Sequence, residues 1–360
     1  MWQQICEPND IPTPYLALDH QRLMANLEQM AAHVRNLNGH LWPHLKTHKS
    51  REIARLQAQL GAGGATVATL AEARFAIGCG LTEVLIAYPP VPAAKVRALA
   101  ELTDRARIAV TCSEPGHTDL LRAAAAPIGV YWEVEVGTGR LGTPPGDPTA
   151  AAVAGLADAA NASYRGLLAF AGHAYKATSD DELRAVQAQQ EEALLATAAA
   201  LARRDITGLL SVGTTPLSRF ESGLADEYRF GNYVFYDATQ VALGSAGIDQ
   251  CALAVITTVI GTPGPCRAVI DAGSKSLPAE RMSALTPDLG LVYAHPGVRL
   301  IALYEEHGLL ESAEPHGLHL GDRVAVIPNH ACTCVNLHAA YTVHGPDGST
   351  ERWLVSTRHT

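Results

Sequence analysis

Lys46 stands between two histidines in the segment WPHLKTHKS (42–50). An amine attacks a carbonyl only after losing its proton, and partial burial beside other cationic groups lowers its pKa and makes that loss easier. His44, Lys46 and His48 recur at period two, so on a continuing strand they share one face. Two other readings stay open: a basic turn with surface lysines, and a zinc site on His44 and His48 that lacks a third ligand nearby. A second constellation is PNHACTC (328–334), with His330 and Cys332 two apart, on one face if the segment is a strand. Imidazole and thiolate suit zinc. Two ligands make half a site, and a buried cysteine beside a satisfied histidine is the ordinary alternative; Cys334, in phase with Cys332, is a further thiolate candidate. SVGTTP (211–216) places Gly213, Thr214 and Thr215 at a helix start, and RFGNY (229–233) adds the Gly231-Asn232 turn. Backbone N–H groups at such positions, with small residues permitting close approach, suit a phosphate dianion; ordinary turns are the alternative.

These residues need elements to hold them. From Thr13 to about Asp237, short apolar runs alternate with segments at helical spacing. The runs are YLALD (15–19), HLWPHLK (40–46), GATVAT (64–69), EVLIAY (83–88), RIAVTC (107–112), GVYWEVEV (129–136), YRGLLAFAG (164–172), GLLSVGTT (208–215) and YRFGNYVFYD (228–237). Helices are predicted near 20–36, 50–59, 70–78, 92–103, 115–124, 148–160, 180–204 and 216–222. The alternation implies parallel strands joined by crossovers, and about eight such units close into a (β/α)8 TIM-type barrel. An open doubly wound sheet is the alternative, weakened because no strand runs into a GxGxxG turn. After about Ala242, Val, Ile, Thr, Gly and Pro dominate in strand-like runs separated by turns. The expected organisation is therefore an α/β barrel over 13–240 and a C-terminal β-rich domain over 241–360, with residues 1–12 packing on the latter. Active-site residues of a parallel barrel lie at the C-terminal ends of its strands, where these runs carry Lys46, Thr69, Tyr88, Arg140, His173, Tyr175, Gly213 and Thr214.

The bulk numbers bound the rest. The 360 residues carry 27 basic and 36 acidic side chains, a net charge of −9, which argues against nucleic acid as a partner. Seven cysteines without a dense framework point to free thiols in a reducing compartment. No uninterrupted run of about 18 apolar residues occurs, and the start MWQQICEPNDIPTP lacks the apolar core of a secretory signal. No membrane partner and a cytoplasmic location are expected.

WPHLKTHKS resembles the cofactor-lysine segment, Arg-Pro-His-x-Lys-Thr-His-Lys, of the D-serine dehydratase and D-threonine aldolase family, pyridoxal-phosphate (PLP) enzymes with an alanine-racemase-like barrel. Trp42 stands where that family has arginine. The resemblance continues in order through ATVATLAEARFAIGCGLTEVLIAYPP (65–90), EVEVGTGRLG (133–142), AGHAY (171–175), SVGTTP, YRFGNYVFYD, VIDAGSKSL (269–277), LYEEHGLL (303–310) and GDRVAVIPNHACTCVNL (321–337). It implies that Lys46 carries PLP and that Thr214, Gly231 and Asn232 hold its phosphate. Arg140 is implied to face the pyridine nitrogen, with Arg229 as rival, and Tyr175 to stack on or hydrogen-bond the cofactor. The pair His330 and Cys332 is implied to hold a divalent metal, zinc or manganese. Cysteine at the second position resembles the dehydratases, whereas aldolases more often have aspartate; Thr333 and Cys334 replace the usual Pro-Thr. The implied activity is β-elimination of water from a D-3-hydroxy amino acid, a small-molecule substrate, giving a 2-oxo acid and ammonia. The alternative is retro-aldol cleavage to glycine and an aldehyde. A racemase and a non-catalytic PLP-holding protein are the remaining readings, and a homodimer is expected.

Overall fold

The computed structural model describes residues 2–7, 10–122, 126–158 and 161–357. They form two compact units. One comprises 29–174 and 179–231, the other 2–28, 175–178 and 232–357.

The first unit is built on eight parallel strands: His40–Leu41, Ala65–Val67, Glu83–Ile86, Arg107–Cys112, Ile128–Glu133, Ala162–Ala169, Leu209–Val212 and Glu227–Tyr228. From Ala65–Val67 onward each pairs in parallel with the next in the order of the chain, and the last also pairs with the first, His40–Leu41. The remaining edges meet through the parallel bridge His44–Thr66, with Leu41 C=O accepting from Gly63 N–H at 2.9 Å and Pro43 C=O from Thr66 N–H at 3.0 Å. The expected crossover helices are present, among them Arg51–Gln59, Leu70–Gly78, Ala93–Thr103 and Asp180–Ala202. Their starts follow from capping chemistry: Ser50, Thr69 and Ser179 each accept a backbone N–H three residues on, a bond worth about 1 kcal/mol. The helices expected over 115–124 and 148–160 are described as Pro115–Leu121 and Asp147–Ala154; residues 123–125 and 159–160 lie outside the described residues. Within the sheet, Trp42 packs with Leu85, Tyr131 and Leu168. A Cβ on Gly64 would meet its ring at 2.7 Å, so the glycine pair before Ala65 makes room for an indole that is 7% exposed.

The second unit carries a nine-stranded sheet. Leu253–Gly264 pairs antiparallel with both Arg267–Ile270 and Arg323–Ile327. The chain of pairings through Gly308–Ser312, Val298–Leu303 and Leu291–Val292 returns from one to the other, closing a six-stranded ring. Here the expectation for YLALD is corrected. Tyr15–Asp19 is a strand of this sheet, antiparallel to Leu253–Gly264 and parallel to Ala340–His344, and not the first strand of the barrel. All five of its residues are buried, and an apolar run covered on both faces does not reveal which sheet it joins. The boundary expected near residue 13 therefore moves to the middle of the helix His20–Asn36. The helix Trp2–Ile5 belongs to this unit, with Trp2 Nε1–H donating to Cys251 C=O at 3.2 Å. None of the seven cysteines is in a disulfide. Among the described residues no helix is long and apolar enough to cross a membrane.

Candidate active site

In the parallel-sheet unit, Lys46 is not on a strand. The strand stops at Leu41, and Lys46 lies in the 3₁₀ turn Leu45–Thr47 just beyond it, so the period-two alignment of His44, Lys46 and His48 does not apply. His48 accepts from Ser50 N–H at Nδ1 and pairs through Nε2 with Gln57 Oε1 at 3.2 Å. Burial pulls its pKa down to about 3. Both ring nitrogens are engaged by protein groups, which removes the zinc reading of His44 and His48. His44 is also held well below its ordinary value, by burial first and then by Lys46, Arg229, His48 and Arg140; its buried Nδ1 has no hydrogen-bond partner. The Lys46 turn is pressed against Gly231, where an added Cβ would come within 2.8 Å of Thr47 Oγ1 and 3.0 Å of His44 Cβ. At Gly213 a Cβ would lie 2.9 Å from Arg229 Cβ. Thr214 is buried at the start of the 3₁₀ helix Thr215–Phe220.

The two arginines differ sharply. Arg229 is 6% exposed, and donates to Ser211 Oγ at 2.6 Å and Ala169 C=O at 2.8 Å. Burial lowers its pKa to about 10, opposed by Glu227 and Glu133. Arg140 is not on a strand, because the strand ends at Glu133 and a loop with Gly137 and Gly139 at positive φ follows. The Glu135 carboxylate gathers the N–H groups of both glycines. The Arg140 side chain, 55% exposed, lies 3.5 Å from Glu133 and 4.7 Å above the Phe170 ring.

In the other unit the structure brings Tyr175, Asn232, His330 and Cys332 around Asp237. Asp237 is fully buried, caps Ala238–Ala242 through Gln240 N–H, accepts from Ala331 N–H at 3.0 Å and from Asn232 Nδ2 at 2.5 Å. Burial raises its pKa, against the pull of His330 and of these donors. Both polar atoms of the Gln240 side chain are buried without a hydrogen-bond partner. Burial, then Asp237 and Cys332, push the Tyr175 phenol well above the ordinary value. His330 and Cys332 are not on a strand either: His330 stands at the N-cap position of the helix Ala331–Leu337, and Cys332 lies in its first turn. The two side chains are hydrogen-bonded to each other. Burial disfavours the His330 imidazolium, but Cys332, Glu280 and Asp237 outweigh it and hold the ring well above its ordinary pKa. Helical geometry turns Cys334 away. It is buried, bonded to Ser276 C=O at 3.7 Å, with its thiol pushed up by burial. Lys275 forms exposed ion pairs with Glu305 and Glu306. A cavity of about 630 Å³ in this unit, bordered by Tyr293, Arg299 and Asn329, contains none of the candidate residues.

Two family models match, the alanine racemase N-terminal domain over residues 18–239 and a serine dehydratase domain over 252–344. A D-threonine aldolase from Arthrobacter sp is 31% identical over 365 residues, covering 97% of this chain and 93% of that protein. The chain belongs to the D-serine dehydratase and D-threonine aldolase family. A second member, the D-threo-3-hydroxyaspartate dehydratase of Delftia sp., is 28% identical over 95% of this chain and 97% of its own length; its solved structure has a TM-score of 0.89. The solved D-threonine aldolase of Filomicrobium marinum has a TM-score of 0.88 at 31% identity, covering 97% of this chain and 96% of that one.

For a member of this family, two groups near the site escaped the reading of the sequence. Asp237 had a signal, because Asp-x-x-Gln before a short helix is a cap pattern. Glu280 had none: it lies 50 positions from His330, its partner. Trp42, in the family's arginine position, is a core residue here.

Proposed function

We propose that this protein is a PLP- and divalent-metal-dependent lyase that removes water from a D-configured 3-hydroxy amino acid, giving a 2-oxo acid and ammonia; D-serine would give pyruvate. The observation that carries this reading is the joined imidazole–thiol pair of His330 and Cys332. This donor set suits zinc, and poor leaving groups such as hydroxyl are what a Lewis acid assists.

The residues present also fit PLP. Gly213 and Gly231 stand where a Cβ would collide, Thr214 opens a 3₁₀ helix, and the orphaned His44 Nδ1 lies in the segment that carries Lys46. Bound through Lys46, PLP supplies an electron sink for the charge left on Cα. The Lys46 amine would take the α-proton at Nζ as general base. Thr214, Gly231 and Asn232 would hold the phosphate. Asn232 would do so by its main chain, since its Nδ2 is committed to Asp237 and the carboxamide oxygen of a neutral amide repels an anion. Arg140 is the candidate for the ring nitrogen, because Arg229 is tied down by bonds from Nη1 to Ser211 and from Nη2 to Ala169. A guanidinium does not give up its proton at neutral pH, so a nitrogen facing it stays unprotonated. Tyr175, whose phenol burial keeps neutral, would orient the bound molecule.

Retro-aldol cleavage to glycine and an aldehyde is the second reading, favoured by the 31% identity to a D-threonine aldolase. A panel of D-3-hydroxy amino acids assayed for ammonia and for glycine, with and without chelator, tests both. Ammonia and oxo acid that vanish with chelator and return with zinc or manganese support the first reading; glycine and aldehyde overturn it in favour of the second. A cytoplasmic homodimer is part of the same proposal, testable by sedimentation.

A further inference from the structure

His330 Nδ1 lies 2.8 Å from Glu280 Oε1. A carboxylate only accepts, so the proton of the neutral ring sits on Nδ1 and its lone pair on Nε2. The same carboxylate oxygen takes the hydroxyl hydrogen of Thr333, and Thr333 Oγ1 is also 3.1 Å from His330 C=O. Glu280 lies in a stretch without helix or strand, 278–290, so no regular element holds it. Asn329, 1% exposed, does so instead, donating from Nδ2 to Asp288 C=O at 2.6 Å and Glu280 C=O at 3.4 Å. On the other side, Thr239 Oγ1 donates to Asn329 C=O at 2.7 Å.

We propose that Glu280 is a positioning residue. It sets the tautomer and ring orientation of His330 so that Nε2, together with Cys332, is presented to a divalent cation, while Thr333 steadies the carboxylate. The inference rests on His330 and Cys332 being the metal pair. A carboxylate behind a ligating histidine raises ligand basicity and locks the ring, and its removal costs about ten- to a hundredfold in metal affinity.

The test is zinc affinity of the full-length, PLP-loaded protein, read by competition with a chromogenic chelator. Glu280→Ala is expected to weaken zinc binding about tenfold or more, while Glu280→Gln, whose amide oxygen still accepts from Nδ1, stays within about threefold. Thr333→Val falls between them, and PLP loading is unchanged in all three. A Glu280→Ala protein that binds zinc like the unaltered one overturns the proposal. So does a Glu280→Gln protein as weak as Glu280→Ala, since that would make the carboxylate itself a ligand. His330→Ala and Cys332→Ala separate the two levels. Unaltered zinc binding in those variants sinks the metal reading; zinc lost there but kept in Glu280→Ala sinks only the role of Glu280.

Discussion

Lys46 gains its meaning from its neighbours. The 3₁₀ turn that carries it packs where Gly231 leaves no room for a methyl group. Gly231→Ala is therefore expected to displace the turn at a packing cost of about 1–3 kcal/mol and to weaken PLP binding, measured by cofactor titration, while far-UV circular dichroism stays native. Lys46→Ala should abolish covalent attachment: after borohydride reduction with PLP, the unaltered chain gains the cofactor's mass and the variant does not. A variant that still gained it at the same level would remove Lys46 from the proposed chemistry.

At the scale of elements, one carboxylate ties two helix starts together. Asp237 caps Ala238–Ala242 and also receives the first N–H of Ala331–Leu337. Asp237→Ala leaves buried donors unpaired and removes a cap, so a loss of about 3 kcal/mol in urea unfolding is expected. Cys334 belongs to the same argument. At period two it shares a face with Cys332, but on a helix it points elsewhere, and its burial follows from that change of period. The reading of the segment as a strand failed because a run of seven residues is too short for periodicity to separate helix from strand.

Across the whole molecule, buried ionisable groups set the pH response. Glu221, after the 3₁₀ helix Thr215–Phe220, accepts from Gln187 Nε2 at 3.1 Å while its Oε1 is buried without a hydrogen-bond partner. Burial pushes its pKa up from 4.5 to about 8, with Glu191 adding to the shift and Gln187 opposing it. The folded state thus prefers the neutral acid. The unfolded chain ionises first, so this residue's contribution falls as pH rises from 4.5 towards about 8 and is level beyond. Glu221→Gln is neutral throughout. Its unfolding free energy should exceed that of the unaltered protein by a margin that grows between about pH 5 and pH 8, reaching on the order of 4 kcal/mol. A margin that stayed constant or shrank over that range would contradict the assignment.

Strand and helix alternation, the change of texture after Ala242 and the order of the family motifs were legible in the chain, because each is a local property of spacing and residue type. Partners distant in sequence were not. YLALD joins the antiparallel sheet because both of its faces find cover there. Arg229 bonds Ser211 and Ala169, and Glu280 meets His330 across 50 positions. Residue type and period determine what an element is; which side chain faces which is a matter of closing long loops, and only the folded chain decides it.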